Sequence, residues 1–282
     1  MTNHLNIFYK NSYMIYFYCD SETIHFFLDY IHSINANYYN IIDIIMDSSL
    51  LINKIQNRSK SDIFIFIQNM PPISYDILVN INCYLLNTEQ LSKNEWIQIL
   101  QKTPIKILDY SLANIKQLIP YRQDVYYLPY MINRNEILDY EKIYDIACIG
   151  CWTDSYRLNI TNQIPCINII EGYGKERDEK LFRHKILLNI HFNERFKIFE
   201  QMRCNRCIMN KMIVITEKNL DIDFELKKYV IECEYDDLVW TTQKVFENYE
   251  YFYNILFADF DIDKIEKMYK EIGDKTIQIL TI

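Results

Sequence analysis

The sequence predicts an α/β protein with two domains, each built on a parallel β-sheet. Short runs rich in β-branched and aromatic residues alternate along the chain with segments of helical periodicity. Such alternation is typical of parallel strands joined by helical crossovers. A length of 282 residues also allows two hydrophobic cores, since a domain usually has about 100–150 residues.

The first half contains six predicted strands, each a β-branched or aromatic run closed by a polar residue. They are Tyr13–Cys19, Ile41–Met46, Ile63–Gln68, Cys83–Asn87, Ile105–Asp109 and Val125–Tyr130. Helical spacing falls between them at Glu22–Ile34, Ser49–Asn57, Lys93–Leu100 and Leu112–Ile119. We expect Ser21 and Ser48 to cap the first two helices, because a serine oxygen accepts a free first-turn N–H.

A polar stretch at 133–141 follows this half and is the predicted linker. The pattern then restarts with strands and helices at Tyr144–Ile149, Ser155–Gln163, Cys166–Ile170, Glu179–His184, Ile186–Ile190, Lys197–Met209, Met212–Thr216 and Tyr229–Glu232. An amphipathic segment, Asp236–Phe257, precedes a last helix at Ile262–Ile272. The predicted domains are residues 1–135 and 142–260, and we expect residues 261–282 to pack back on the first domain.

The glycines predict where a ligand binds. The chain has only four, and Gly150, Gly172 and Gly174 lie within 25 residues of each other, after two predicted strands. Glycine allows positive φ angles and the close approach of a ligand to the backbone. A strand, a glycine turn and a helix form the ligand crevice of open parallel sheets. We therefore expect a cleft between the two domains, lined by the carboxyl ends of the strands.

Charge and composition exclude several classes of protein. A net charge of −8 and a pI of about 5.2 argue against coating of nucleic acid or anionic membrane. The segment 175–211 nonetheless holds twice as many Lys and Arg as Asp and Glu, which suits a small anion. No signal peptide or membrane span is visible in the sequence, so we expect a soluble cytoplasmic protein with reduced thiols.

Two Cys-x-x-Cys pairs, Cys148/Cys151 and Cys204/Cys207, could hold zinc or be buried as small apolar residues. Zinc knuckles usually lie close together on turns. These pairs are more than 50 residues apart, in a predicted strand and a predicted helix. We favour burial and predict no metal site.

The predicted anion-binding residues surround the strand that ends near Asn189 and His191. Glu200 lies near the start of the next helix, where a carboxylate could bond both hydroxyls of a ribose or simply interact with the helix dipole. Basic residues near a helix N-terminus attract phosphate. The candidates are Lys175, Arg195, Lys197 and Arg203.

These segments carry a family resemblance. "KILLNIH", "FEQMRCNRCIMNKMIVITE", "DIACIGCWTDSYR" and "GYGKERDEKL" in the second half resemble GT-B glycosyltransferases of large DNA viruses and some bacteria. "LLNTEQLS" and "ILDYSLANI" resemble the N-terminal domain of the same group. The resemblance implies two Rossmann-like domains facing across a cleft, with the acceptor on the first and a nucleotide-sugar donor, such as a UDP or GDP sugar, on the second.

Individual donor residues follow from the resemblance. It assigns Glu200 to the donor ribose. The sugar-contacting glutamate of the family's Glu-x7-Glu motif has no counterpart, because Phe192 stands eight residues before Glu200. The turn with Gly150, Thr153 and Arg157 could contact phosphate or sugar, or be an ordinary strand-to-helix turn.

Several other residues near the predicted donor site have more than one interpretation. Gly174 would let the next loop approach the donor. Lys175 and Arg177 could pair with the diphosphate or remain solvated. Asn189 and His191 could bind the donor or be structural polar residues.

The first domain should supply a base for the acceptor hydroxyl if the transfer inverts the sugar. Glu89 and Asp109 each follow a predicted strand, and either could be this base or an ordinary helix cap. Tyr130 closes the last strand of the first domain and could line the cleft.

The sequence thus predicts a metal-independent glycosyltransferase that moves a sugar from a nucleoside-diphosphate donor to a hydroxyl acceptor, a glycan or glycoprotein. Asp221-Ile222-Asp223 and Asp261-Ile262-Asp263 match the Asp-x-Asp metal motif of another transferase fold, but we interpret them as solvated loop acids. An epimerase or dehydrogenase would need a Gly-x-Gly-x-x-Gly turn, which the chain lacks. A non-catalytic nucleotide-sugar or glycan-binding module with a decayed fold remains the alternative.

Overall fold

The predicted α/β class is confirmed, with two parallel sheets. The computed structural model describes residues 13–38, 42–91, 94–150, 155–221 and 224–281. The first sheet has six parallel strands in the order β2-β1-β3-β4-β5-β6. These strands are β1 Ile15–Tyr18, β2 Ile42–Ile45, β3 Ile63–Ile67, β4 Cys83–Asn87, β5 Lys106–Asp109 and β6 Val125–Tyr127.

Helical crossovers join these strands. They are α1 Ile24–Asn37, α2 Ser48–Gln56, α3 Tyr75–Leu78, α4 Asn94–Lys102 and α5 Leu112–Leu118. The short α3 was not predicted. Both predicted caps are wrong. Asp47, not Ser48, caps α2 by accepting from the Leu50 N–H, and α1 begins after Thr23, whose N–H donates to Asp20. An aspartate at this position also complements the helix dipole.

The second sheet has five parallel strands in the order β11-β10-β9-β7-β8. They are β7 Tyr144–Ile149, β8 Ile167–Ile170, β9 His184–Asn189, β10 Ile213–Glu217 and β11 Val230–Cys233. The helices of this half are α6 Ser155–Thr161, α7 Gly174–Leu181, α8 Gln201–Met209, α9 Leu238–Glu247 and α10 Tyr249–Leu256. The predicted segment Asp236–Phe257 is therefore two helices, which meet at Asn248.

The last helix, α11 (Ile262–Leu280), lies against the half that carries the six-stranded sheet. Asn82 Nδ2 donates to the Leu280 carbonyl oxygen at 2.5 Å, and Thr276 Oγ1 donates to the Tyr127 carbonyl oxygen at 2.5 Å. Gly273 is buried against Tyr38 and Met131. The helix therefore joins the end of the chain to the first half.

The predicted linker is packed against the rest of the protein. It contains a short 3-10 helix, Arg134–Glu136, whose first turn is capped by the Asn133 side chain. Asn210 Nδ2 donates to the Glu136 carbonyl oxygen at 2.8 Å, and Asn210 Oδ1 accepts from the Leu138 N–H at 2.7 Å. Helix α8 thus holds the segment that connects the two sheets.

The buried apolar residues form three clusters. One lies on a single face of the six-stranded sheet and one on a single face of the five-stranded sheet. The largest includes residues of both halves, such as Ile15 and Tyr130 from the first and Leu187 and Phe199 from the second. Burial of this shared apolar surface holds the two halves together.

Candidate functional site

A cavity of about 820 Å³ lies where strand ends of both sheets meet. Thr88 and Tyr110 follow β4 and β5 of the first sheet, and Gly150 and Gly172 follow β7 and β8 of the second. Ligands of parallel α/β sheets bind outside the carboxyl ends of the strands. A cavity of this size is large enough for a small organic ligand.

Gly150 ends β7 at a φ of +143°, and Arg157 of α6 lies directly against it. The Arg157 side chain is 3% exposed, and its Nε donates to the carbonyl oxygens of Ile190 (3.0 Å) and His191 (3.2 Å). Arg157 thus closes the end of β9 behind the cavity. Thr153, the other predicted residue of this turn, lies outside the described residues.

Glu200 and Arg203 form the charged centre of the cavity wall. Glu200 is the N-cap residue of α8, and its Oε2 lies 2.5 Å from Arg203 Nη1. Its Oε1 lies 4.0 Å from Arg157 Nη2. Both side chains of the pair are partly exposed, at 19% and 18%, so the carboxylate keeps lone pairs for a ligand.

Asn189 lies behind this pair and does not line the cavity. It is fully buried, accepts from Arg203 Nη1 at 2.7 Å and donates to Thr216 Oγ1 at 2.9 Å. The structure therefore gives Asn189 the task of orienting Arg203.

His191 is also fully buried and does not line the cavity. Its backbone N–H donates to Glu217 Oε1 at 2.7 Å. Burial lowers the pKa of the His191 imidazole to about 4, so the ring is neutral at neutral pH. Burial raises the pKa of Glu217, which also accepts from the Tyr156 hydroxyl at 2.7 Å.

The loop after β8 forms one edge of the cavity. Gly172 and Gly174 have φ angles of +92° and +64°, and Tyr173 stands between them. The Tyr173 ring contacts His25 and Phe26 of α1, with ring centroids 4.7 and 5.2 Å apart. The two glycines thus give this loop the turn that brings Tyr173 to the opposite half.

Three predicted phosphate-binding cations do not line the cavity. Lys175 is 86% exposed and pairs with Glu179, while Arg195 and Lys197 are exposed on the loop before α8. Other cations of the basic segment 175–211 do reach the cavity. Among the described residues that line it, the cations are the arginines at 177, 203 and 206.

Glu89 lines the cavity from the first half, in the loop after β4. Its Oε1 accepts from Gln68 Nε2 at 2.6 Å, and its backbone carbonyl accepts from Asn87 and Asn114 side chains. Gln68 follows β3 and has a φ of +62°. Asn87 and Asn114 thus hold the Glu89 backbone, and Gln68 holds its carboxylate.

Asp109 does not reach the cavity. It is fully buried at the end of β5 and accepts from Asn87 Nδ2 (2.6 Å), the Ser111 N–H (2.8 Å) and Asn114 Nδ2 (3.1 Å). Burial raises the pKa of its carboxyl to about 8. A sugar acceptor bound in the cavity could not contact Asp109. Its carboxyl is therefore structural and holds the loops after β4 and β5.

Tyr130 is likewise buried away from the cavity. Its hydroxyl donates to Glu136 Oε2 at 2.7 Å, and its N–H donates to Gln201 Oε1 at 3.0 Å. The prediction that Tyr130 lines the cleft is wrong, because the chain after β6 turns inward beneath α8.

The interpretation of Asp221 as a solvated acid is also wrong. Asp221 is 4% exposed, and its Oδ1 accepts from Ser111 Oγ (2.8 Å) and the Ala113 N–H (2.9 Å) at the start of α5. Its Oδ2 accepts from the Phe199 N–H at 3.0 Å. Asp223 lies outside the described residues. Asp261 caps α11, and Asp263 pairs with Arg134 on the surface.

The cysteines with described positions are free thiols. Cys148, Cys204 and Cys207 are fully buried, and burial raises their pKa values; Cys151 lies outside the described residues. Within the described ranges, no group of three or more His, Cys, Asp or Glu residues could hold a metal ion. No described helix is long and apolar enough to cross a membrane.

Sequence reasoning missed a buried network of charges at the base of the cavity. Arg206 of α8 pairs with Asp29 of α1 (3.0 Å), with Glu136 (2.6 Å) and with Asp178 of α7. Arg177 pairs with the same Asp29 (2.8 Å) and with Asp178 (2.6 Å). A charge among the buried cysteines of α8 was the available signal, since such a charge must find buried partners.

Comparison with known proteins places the chain in a viral family. The Acanthamoeba polyphaga mimivirus protein L140, named as uncharacterized, is 30% identical in a 252-residue alignment that covers 83% of this chain and 76% of L140. The chain belongs to the L140 family. No protein-family model matches it.

Further mimivirus relatives differ in length. The protein R358 is 28% identical over 228 residues, covering 74% of this chain and 80% of R358. The protein L137 is 28% identical over 252 residues, covering 82% of this chain but 33% of L137. In L137 the L140-family region is therefore one part of a longer protein.

The crystal structure of TarM is similar with a TM-score of 0.46 and 12% sequence identity. The aligned region covers 79% of this chain and 55% of the TarM chain.

Proposed function

We propose that the protein is a glycosyltransferase that moves a sugar from a nucleoside-diphosphate sugar to a hydroxyl group of a glycan. The observation that supports this most is the position of Glu200 and Arg203. They lie at the start of α8, on the wall of a cavity between the strand ends of two parallel sheets. Sequence resemblance to GT-B transferases assigns the ribose to the same Glu200.

On the donor side, the Glu200 carboxylate accepts hydrogen bonds from the ribose hydroxyls. Its pairing with Arg203 fixes the carboxylate through Oε2, and Oε1 remains for hydrogen bonds with a ligand. Arg203 and the first turn of α8 stabilise the negative diphosphate, because cations and helix N-termini attract anions. Exposed Lys175, Arg195 and Lys197 add a longer-range attraction that salt screens.

On the acceptor side, Glu89 accepts a hydrogen bond from the acceptor hydroxyl and takes its proton if the transfer inverts the sugar. Glu89 and Glu200 line the same cavity from opposite halves. Transfer would then need no bound metal, since Arg203 and helix amides stabilise the leaving diphosphate.

A thermal-shift panel of UDP, GDP and CDP sugars tests the donor site. We expect one nucleotide to raise the melting temperature, since a ligand at about 100 times its Kd stabilises the folded state by ~2.7 kcal/mol. Glu200→Gln should lower the affinity for this nucleotide roughly 10- to 100-fold, because hydrogen bonds to a charged group contribute about 1.5–3 kcal/mol.

The matched control is Glu194→Gln, an exposed glutamate on the loop before α8 that does not line the cavity. It should bind the nucleotide as the wild type does. Failure of every nucleotide to stabilise the wild-type protein, or equal binding by Glu200→Gln, would rule out this donor site.

The alternative is a module that binds a nucleotide sugar without transferring it. Donor hydrolysis separates the two functions. When no acceptor is present, a transferase usually transfers the sugar slowly to water, and the nucleotide is released. Binding without release of the nucleotide, even with glycan acceptors, would favour the module.

A further inference from the structure

We propose that Gln68 holds Glu89 in place for an uncharged, polyhydroxylated acceptor, and that the cavity wall selects against acidic acceptors. This inference rests on the proposed transfer reaction. It adds a positioning residue and a substrate class to the acceptor side of the same cavity.

The contact between Gln68 and Glu89 defines the acceptor wall. Gln68 Nε2 donates to Glu89 Oε1 at 2.6 Å, which leaves Oε2 for a ligand. Glu89 has no ion-pair partner among the described residues. Its carboxylate can therefore accept a hydrogen bond from a sugar hydroxyl.

Gln68 makes this contact from an unfavourable backbone conformation. Its φ is +62°, and the Asn69 N–H donates back to the Ile67 carbonyl oxygen at 2.6 Å. A three-residue turn with positive φ at a residue other than glycine is rare and strained. Such strain costs about 1–3 kcal/mol and persists where the surrounding structure holds it. The strained backbone at Gln68 therefore accompanies a specific side-chain contact, the hydrogen bond to Glu89.

Thr88 adds a second polar group to the same wall. It lines the cavity beside Glu89, and its buried Oγ1 has no hydrogen-bond partner among the described residues. A buried hydroxyl without a partner costs about 1–3 kcal/mol. Thr88 thus places a hydroxyl that lacks a hydrogen-bond partner next to Glu89 on the same wall.

The charges of the cavity favour a neutral acceptor. The described cavity residues of the first half include Asp29 and Glu89 but no Lys, Arg or His. Of the cavity arginines of the second half, those at 177 and 206 are paired with Asp29. Arg203, which is paired with Glu200, is engaged by the donor diphosphate in the proposed reaction. A phosphate or carboxylate on the acceptor would meet the Glu89 carboxylate without a free cation beside it, and like charges at contact distance repel.

An acceptor panel tests the substrate class. Nucleotide release from the donor is measured with no acceptor, with lactose or cellobiose, and with glucose 6-phosphate or galacturonic acid at equal concentration. We expect the neutral disaccharides to raise the release rate at least tenfold above the acid sugars. Equal use of acid sugars, or no increase with neutral ones above the acceptor-free rate, would overturn the proposal.

Gln68→Gly tests the positioning role, because glycine tolerates the positive φ while the side chain is lost. We expect an acceptor KM at least tenfold higher, with unchanged nucleotide affinity and an unfolding free energy no lower than that of the wild type. Gln68→Asn, whose amide is too short to reach Glu89, should show the same KM defect.

Lys211→Gly is the matched control, since Lys211 also has a positive φ of 53° but lies after α8, away from the cavity. It should leave the acceptor KM unchanged. An unchanged KM in Gln68→Gly would overturn the role of Gln68. A wild-type protein that neither binds nor releases any nucleotide would instead overturn the donor site, and the acceptor proposal with it.

Discussion

The absence of a side chain at Gly150 lets the Arg157 guanidinium lie against the end of β7. A Cβ at this position would lie 2.9 Å from Arg157 Cζ and closer still to Nη1. Arg157 cannot move aside freely, because it is buried and bonded to the carbonyl oxygens of Ile190 and His191. One glycine therefore sets the packing behind the cavity wall.

Gly150→Ala should lower the free energy of unfolding by about 1–3 kcal/mol, from strain at positive φ together with the clash against Arg157. Urea unfolding measures this loss. Gly172→Ala is the control, since φ there is +92° but no atom lies within 4 Å of a Cβ. Gly172→Ala should cost less, and an equal loss in both variants would contradict the role assigned to Arg157.

Single residues were the part of the site that the sequence predicted least well. The glycine spacing located the loops that form the cavity edge, and Glu200 and Glu89 both line the cavity. Asp109 and Tyr130 followed strands in the same way, yet both are buried. Position after a strand brings a residue to the correct edge of the sheet, but contacts with distant residues decide whether its side chain faces the ligand.

At the scale of whole elements, local pattern was sufficient for most strands. Strands β4 and β7 have the predicted bounds, because each is a short, mainly apolar run that ends at a polar residue or just before a glycine. Helix α7 begins at Gly174 rather than Glu179, and α8 begins at Gln201 rather than Lys197. The charged first turn of α7 carries little apolar periodicity, whereas the apolar residues Ile198 and Phe199 extend the helical spacing of α8 into the loop before it.

Helix α11 illustrates how an element is fixed by one close contact. Its Gly273 has no side chain, which lets the helix approach Met131 and Tyr38 of the first half. A Cβ there would lie 2.7 Å from Met131 Cε and closer to the Tyr38 hydroxyl. The glycine therefore serves packing rather than backbone conformation.

Gly273→Ala should destabilise the protein by about 1–3 kcal/mol through overpacking, although alanine favours a helix by about 1 kcal/mol over glycine. Chemical denaturation gives the difference. Glu271→Ala, at an exposed position of the same helix, should change stability by less than about 0.5 kcal/mol. A gain in stability for Gly273→Ala would show that α11 is not closely packed at this point.

For the whole molecule, the buried charge network is what the sequence could least reveal. It joins Asp29 of α1, Glu136 of the connecting segment and Arg206 of α8, which are up to 177 positions apart. No local pattern connects such residues. Arg206 is 4% exposed, whereas Arg134, which also joins distant segments through Asp263 and Glu266, is 49% exposed.

This difference in burial predicts losses of stability of different size for the same substitution at Arg206 and Arg134. Arg206→Met should lower the free energy of unfolding by about 3–5 kcal/mol, because Asp29, Glu136 and Asp178 would be left without their shared cation. Arg134→Met should cost no more than about 1 kcal/mol, since water screens an exposed pair. Urea unfolding of both variants measures the contrast, and small-angle scattering of Arg206→Met should show a larger radius of gyration if the halves separate. Equal losses of stability in the two variants would mean that the buried network adds nothing to the shared apolar packing that holds the two halves together.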